Sequence, residues 1–182
     1  MAGALLALIR RVNRAIALAV GIMLLAAAGF VLVDIVLRRL GASLGGSDEI
    51  SGYAMALATS WGMGFALVEL GHVRIEVLRS RAPGGLRAAL DLVAMLALAL
   101  VVTLVALRGW PVLARSLANG SRANTPLETP LALVQGPWLA GWAWFALTAW
   151  GTLLAAAWLL LRGERAAAEA AIGTGSEGDA PR

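Results

Sequence analysis

Cysteine is absent from the 182 residues. Disulfides, thiol nucleophiles and cysteine-ligated metals are thereby excluded. Lysine is absent too, so all fifteen basic residues are arginine. Histidine occurs once, as His72. A haem held between facing spans takes two histidines, or a histidine and one of the five methionines in register. Zinc takes about four ligands, and no histidine–carboxylate cluster has the required spacing. No Ser–His–Asp order, glycine-rich phosphate loop or pair of carboxylates stands out. Charged residues make up only 14% of the chain, too few for a solvated surface of ordinary size. No catalytic, cofactor-binding or metal site is therefore expected, and the chain is not read as an enzyme. Internal repeats are not visible either, so the inverted-repeat core of a transporter is not evident.

What the chain does have is long apolar runs. Hydrophobic residues are 60% of positions and the mean hydropathy is +0.80. Soluble domains hold about 45–50%. Four runs cover residues 15–37, 50–70, 88–107 and 138–161. Each has the length, about 20 residues, that a helix needs to cross roughly 30 Å of hydrocarbon. Lipid offers no hydrogen-bond partners, so such segments satisfy their backbone internally as helices. The expected fold is all-α: an integral membrane four-helix bundle with short loops. Residues 1–162 form its membrane domain, and residues 163–182 a cytoplasmic, partly disordered tail. The first run exceeds the apolar core of a signal peptide and is stopped by Arg38 and Arg39, so it reads as a retained span.

The isoelectric point near 11.2 does not indicate nucleic acid. The arginines cluster at the ends of the runs, as the positive-inside rule requires. Four spans place the N-terminus, the second loop and the C-terminus on one side, with ten arginines against five on the other. Both termini are expected in the cytoplasm, with membrane lipid as a partner.

Between the runs, the local signals differ. Residues 1–14 read equally as a short interfacial helix or as a continuation of the first span. Ser47 is placed to cap the second span, with Asp48 and Glu49 in its first turn, where carboxylates favour the helix dipole. In the second loop, residues 72–78 alternate polar and apolar, which suggests a strand until one notes that it would have no partner. Residues 108–137 form the longest expected loop. Leu107, Trp110, Leu113, Ala114 and Leu117 recur there at helical spacing, as an interfacial helix or an extension of the third span kinked at Pro111. Residues 162–172 have the composition to continue the fourth span.

Ionisable groups inside spans are the functional candidates. Asp34 has Arg38 four residues later, and Arg87 and Asp91 repeat the spacing at the third span; both read as intramembrane ion pairs. Glu69 lies within reach of His72 or Arg74. His72 reads as a hydrogen-bonding residue at a helix end. Gly52, Ala56, Ser60 and Gly64 form a small-residue ridge on which a second helix can pack closely. Trp144 and Trp150 lie deep in the fourth span, facing bundle, lipid or a partner.

One stretch is more specific. Ser47-Asp48-Glu49-Ile50 opens the second span, and Glu69-Leu70-Gly71-His72-Val73-Arg74-Ile75-Glu76-Val77-Leu78 closes it. Residues 125–138, with Pro130, Gln135 and Pro137, lead into the fourth. In these features, over about residues 10–162, the chain resembles the small membrane subunit (Q type, DctQ-like) of tripartite ATP-independent periplasmic, or TRAP, transporters. The resemblance implies residence in the bacterial inner membrane and two partners: a large multi-spanning subunit carrying the substrate and ion sites, and a periplasmic solute-binding protein. It implies a small permease subunit that braces the large one and helps dock the binding protein, for uptake of an organic acid or similar anion. Asp48, Glu49, Gly64, Glu69, Gly71, His72 and Arg74 become the candidate interface or structural residues. A membrane anchor for a redox enzyme is the alternative, against which the single histidine argues.

Overall fold

Each apolar run forms the body of a helix, the second ending two residues past its helix, and the other three helices are longer than the run inside them. The computed structural model describes residues 2–72 and 81–173. Helix α1 spans Ala2–Arg39, α2 Ser47–Val68, α3 Gly84–Asn119, α4 Leu131–Leu161 and α5 Arg165–Ile172. No strand occurs among the described residues. At 1.5 Å per residue, α1 is about 57 Å long and α3 about 54 Å, against roughly 30 Å of hydrocarbon. Each must therefore project well beyond the apolar layer or tilt strongly.

Residues 2–14 continue the first helix without a break, which decides between the two readings of that segment. The expected long third loop is shorter than its sequence suggested. Helix α3 runs through Pro111 to Asn119, and α4 starts at Leu131, ahead of Pro137. A proline inside a helix forfeits one backbone bond. Pro137 is also a tie between helices, because its carbonyl accepts from Trp61 Nε1 of α2 at 2.9 Å. What remains of the loop folds on itself: Ala123 N donates to Thr129 O and Leu131 N to Ser121 O, each at 2.9 Å.

Three helices, α1, α3 and α4, are long and apolar enough to cross a membrane. Helix α2 has the length, 22 residues. Its Ser51, Gly52, Tyr53, Thr59, Ser60, Trp61, Gly62 and Gly64 dilute its apolar character. Those small and polar residues are what allow it to sit between α1 and α4. Helix α4 is the hub, packing most broadly on α3, then on α2, α5 and α1, and half of its apolar window is buried. The shared core joins Leu67 of α2, Met95, Ala99 and Val102 of α3, Phe145, Ala149, Leu153 and Ala156 of α4, and Ala171 and Ile172 of α5.

The fourth span does not run on to residue 172. Gly163 takes φ +79°, a left-handed conformation that costs glycine little, and the chain turns there. Helix α5 then packs against α4 and α3, with Ala168, Ala171 and Ile172 buried.

Candidate functional site

The polar side chains inside the apolar body fall into small groups, each tying helices together. The first surrounds Asp34, whose side chain is wholly buried. Arg38 pairs with its Oδ2, as the spacing of four residues predicted. Ser47 Oγ donates to the same oxygen at 2.7 Å. Oδ1 accepts from Ser43 Oγ at 3.1 Å and from Leu44 N at 2.8 Å. Arg38 Nη2 also donates to Ser47 Oγ at 2.8 Å. A carboxylate with this many donors is the strong kind of acceptor, and it binds the end of α1, the first loop and the start of α2 into one unit. Ser47 was expected to cap α2, but its hydroxyl goes to Asp34. The cap position is Gly46, at φ 68° and without a side-chain cap bond. As a cap, the Ser47 oxygen would accept from a backbone N–H of the first turn; here it accepts from Arg38, and its proton goes to the charged Asp34 oxygen.

Asp48 and Glu49 stand in the first turn of α2, as the sequence suggested. Glu49 lies just ahead of the apolar run 50–70 and accepts from the Tyr53 hydroxyl. Its Oε2 is buried without a hydrogen bond of regular geometry. The Thr125 hydroxyl, then that of Tyr53, and to a lesser degree Thr129 and the Leu127 amide, hold its carboxyl below the ordinary glutamate range by favouring the charged form. Leu127 also packs onto Gly46, where an added Cβ would lie 2.4 Å from Leu127 Cδ1. Loop three is thus seated on the start of α2.

A third group lies deeper, and its centre, Asn13, was missed by the sequence reading. Asn13 is fully buried. Its Nδ2 donates to Ile9 O at 2.9 Å and to Thr148 Oγ1 at 3.4 Å, and its Oδ1 accepts from Trp144 Nε1 at 3.2 Å. Gly64 completes the contact, since a Cβ there would come within 2.5 Å of Asn13 Oδ1. Asn13 stands among Arg10, Arg11 and Arg14, just ahead of the run 15–37, and nothing local marks it as an amide that bonds across helices. Half of the small-residue ridge is used in these crossings: Ser60 and Gly64 are buried, and Gly141 of α4 fits against Ser60. Gly64 therefore faces α1 and α4 of its own chain. Trp150 Nε1 donates to Thr103 Oγ1 at 2.9 Å, so both deep indoles of α4 bond within the bundle.

At the other end of α2, Glu69 pairs with Arg14 of α1 at 2.9 Å, both side chains being partly exposed. The helix closes with Leu70 at φ 57° and Gly71 N bonded to Ala66 O at 2.8 Å, a Schellman-type end in which leucine takes the left-handed place usual for glycine. The His72 ring lies 6.0 Å from that of Phe145. Arg74, with residues 73–80, lies outside the described residues. Arg87 donates from Nε to Ala82 O at 2.8 Å, and with Asp91 it lines a cavity beside α5. Among the described residues no three His, Asp or Glu side chains gather as a metal-ligand group.

A family model described as "Tripartite ATP-independent periplasmic transporters, DctQ component" matches residues 27–163. The chain belongs to this family. As a DctQ component it is the small membrane subunit of a TRAP transporter, one part of a three-part system. The other parts implied are a large membrane subunit and a periplasmic binding protein. The family is a transporter component and not an enzyme family, and with the long apolar helices it points to the inner membrane. No curated protein and no solved structure matches the chain. The matched stretch begins within α1 and ends at Gly163. Arg10, Asn13 and α5 all lie outside it.

Proposed function

We propose that this DctQ component acts as a rigid flank in the membrane, bracing the large subunit and helping to dock the solute-binding protein for uptake of an organic acid or similar anion. One observation carries the reading. Asp34, the ionisable group inside the first apolar run, is buried and saturated by donors from Arg38, the first loop and the start of α2. Such a carboxylate holds α1 to α2; it is not poised to carry an ion. The outer faces of α1 and α3 expose leucine, isoleucine and valine along their length, as surfaces meant for lipid or another membrane protein do.

In this reading residues 1–162 form a four-span domain, with α2 as the fourth crossing. The termini and residues 73–83 face the cytoplasm, and loops one and three face the periplasm. The test is solute uptake in vesicles holding the full three-part system, with complex assembly measured in parallel. Asp34→Asn is expected to retain uptake in proportion to the complex assembled. Abolished uptake in a fully assembled complex would place an ion-coupling group in this subunit and end the brace reading.

A further inference from the structure

Beyond the apolar layer, the end of α3 carries charge that the rest of the chain does not neutralise. Residues 92–127 contain no carboxylate, and their only charged side chains are Arg108, Arg115 and Arg122. Arg108, Val112, Arg115 and Asn119 recur at spacings of four, three and four, which puts them on one face of the helix, and all four are exposed. Among the described residues neither Arg108 nor Arg115 has a hydrogen-bond or ion-pair partner. Arg122, three residues past the helix, is exposed and donates once, from Nη1 to Glu128 O at 3.1 Å. Its loop is closed by the backbone bonds of Ala123 and Leu131 and seated on α2 through Leu127, so Arg122 stands on a fixed surface.

Height separates these arginines. Arg108 directly follows the apolar run 88–107 and lies at the level of lipid phosphates. Arg115 is two turns further on. Its rise above the run is about 12 Å, or about 9 Å for a helix tilted by about 40°. The headgroup region is only about 5–7 Å thick on each side of the hydrocarbon. Arg115 is therefore in water at either tilt. Arg122 bridges to Pro130, eight residues ahead of the run 138–161, and so lies at a similar height. With both termini in the cytoplasm, this water is the periplasm. Arginine on that side runs against the positive-inside rule, so insertion does not account for the pair. Exposed, unpaired charges speed the encounter with an oppositely charged partner that arrives by diffusion. They do little for a partner held permanently in the membrane. Of the two partners of this subunit, the soluble binding protein is the one that arrives by diffusion.

We propose that Arg115 and Arg122 receive an acidic patch of the solute-binding protein and steer it onto the membrane complex. The surface belongs to the docking role given above and rests on that reading and its topology. Vesicles holding both membrane subunits are titrated with the solute-loaded binding protein, and uptake is followed against its concentration. Arg115→Gln combined with Arg122→Gln should raise the half-saturating concentration about fivefold, with maximal uptake and complex assembly unchanged. Arg11→Gln, an exposed arginine near the other end of the molecule, should leave it where it was. Raised ionic strength should shift the unmodified complex in the same direction as the double change. An unchanged half-saturating concentration in the assembled double variant would leave these arginines to lipid and overturn the proposal, while the bracing role stands. An equal shift by Arg11→Gln would overturn it as well. Should the double variant fail to assemble, the salt series decides, and a titration of the unmodified complex that salt does not move overturns the proposal. Arg115→Cys, the one thiol in the chain, should react with a membrane-impermeant maleimide from the periplasmic side. A thiol reached only from the cytoplasm would overturn the surface and the topology together.

Discussion

Asp34 and Gly64 show how much a single position does in this chain. Asp34 accepts from Arg38, Ser43, Ser47 and the Leu44 amide. Asparagine keeps one acceptor oxygen and presents an amide where donors already point. Asp34→Asn should therefore lower the thermal midpoint of the purified chain. Asp34→Asn combined with Arg38→Gln should lower it by less than the two single changes together, because neither charge is then left unpaired. Additive midpoints would show that the ion pair contributes nothing of its own. At Gly64 the constraint is space. Alanine would push its methyl into Asn13 Oδ1, and overpacking of this kind costs about 1–3 kcal/mol. Chemical unfolding of Gly64→Ala should show that loss, and the added change Asn13→Ala should cost less than it does in the unmodified chain. A Gly64→Ala chain of unchanged stability, failing only to join its partner, would move this glycine to the outer surface.

Helices carry the next level of argument. Helix α2 is the long helix not among the three that are apolar enough to cross a membrane, so its proposed crossing depends on its neighbours' shielding its polar groups. Reporter fusions test its crossing directly: fusions after Arg81 and at the C-terminus should report cytoplasm, and one near Asn119 periplasm. The opposite report at either of the first two would remove α2 from the spans. The start of α2 also carries a pH dependence. Thr125 and Tyr53 hold the Glu49 carboxyl below its ordinary range. A group whose pKa is depressed on folding contributes stability above its unfolded pKa and loses it as pH falls through the folded one. Loop three should accordingly loosen from α2 on the acid side of the usual glutamate range, seen as faster proteolysis of residues 120–130. Glu49→Gln should remove that acid-side change. A cleavage rate in the unmodified chain that is flat across that range would rule out Glu49 as its source.

For the whole molecule, α4 is the hub and both ends are tied. The end that holds the start of α1 is closed by Arg14 with Glu69 and by Arg10 with the end of α5. An exposed pair such as Arg14–Glu69 contributes at most about 1 kcal/mol. Glu69→Gln should therefore leave the stability of the chain nearly unchanged. If Glu69 also meets the large subunit, the same change should reduce co-purification of the two; equal recovery would confine Glu69 to the contact with α1.

Much of this was legible before any coordinates. Apolar runs of membrane length dictate helices, because lipid leaves the backbone no other partner, and local spacing predicted the pairing of Asp34 with Arg38. The motif from Glu69 to Leu78 pointed to the family later matched over residues 27–163. Helix lengths were harder to read, since backbone bonding continues through charged and proline-containing stretches such as 108–119 once neighbours support it. The partners of Asn13, Ser47, Gly64 and Glu69 were out of reach of any pattern. Each depends on residues of another helix, up to 135 positions away for Asn13 and Thr148. Composition and period determine that these helices form and which of them are apolar enough to cross a membrane. Only the packing of α1, α2 and α5 around α4 decides which polar group each one meets, because those contacts are set by distances in space that sequence separation does not encode.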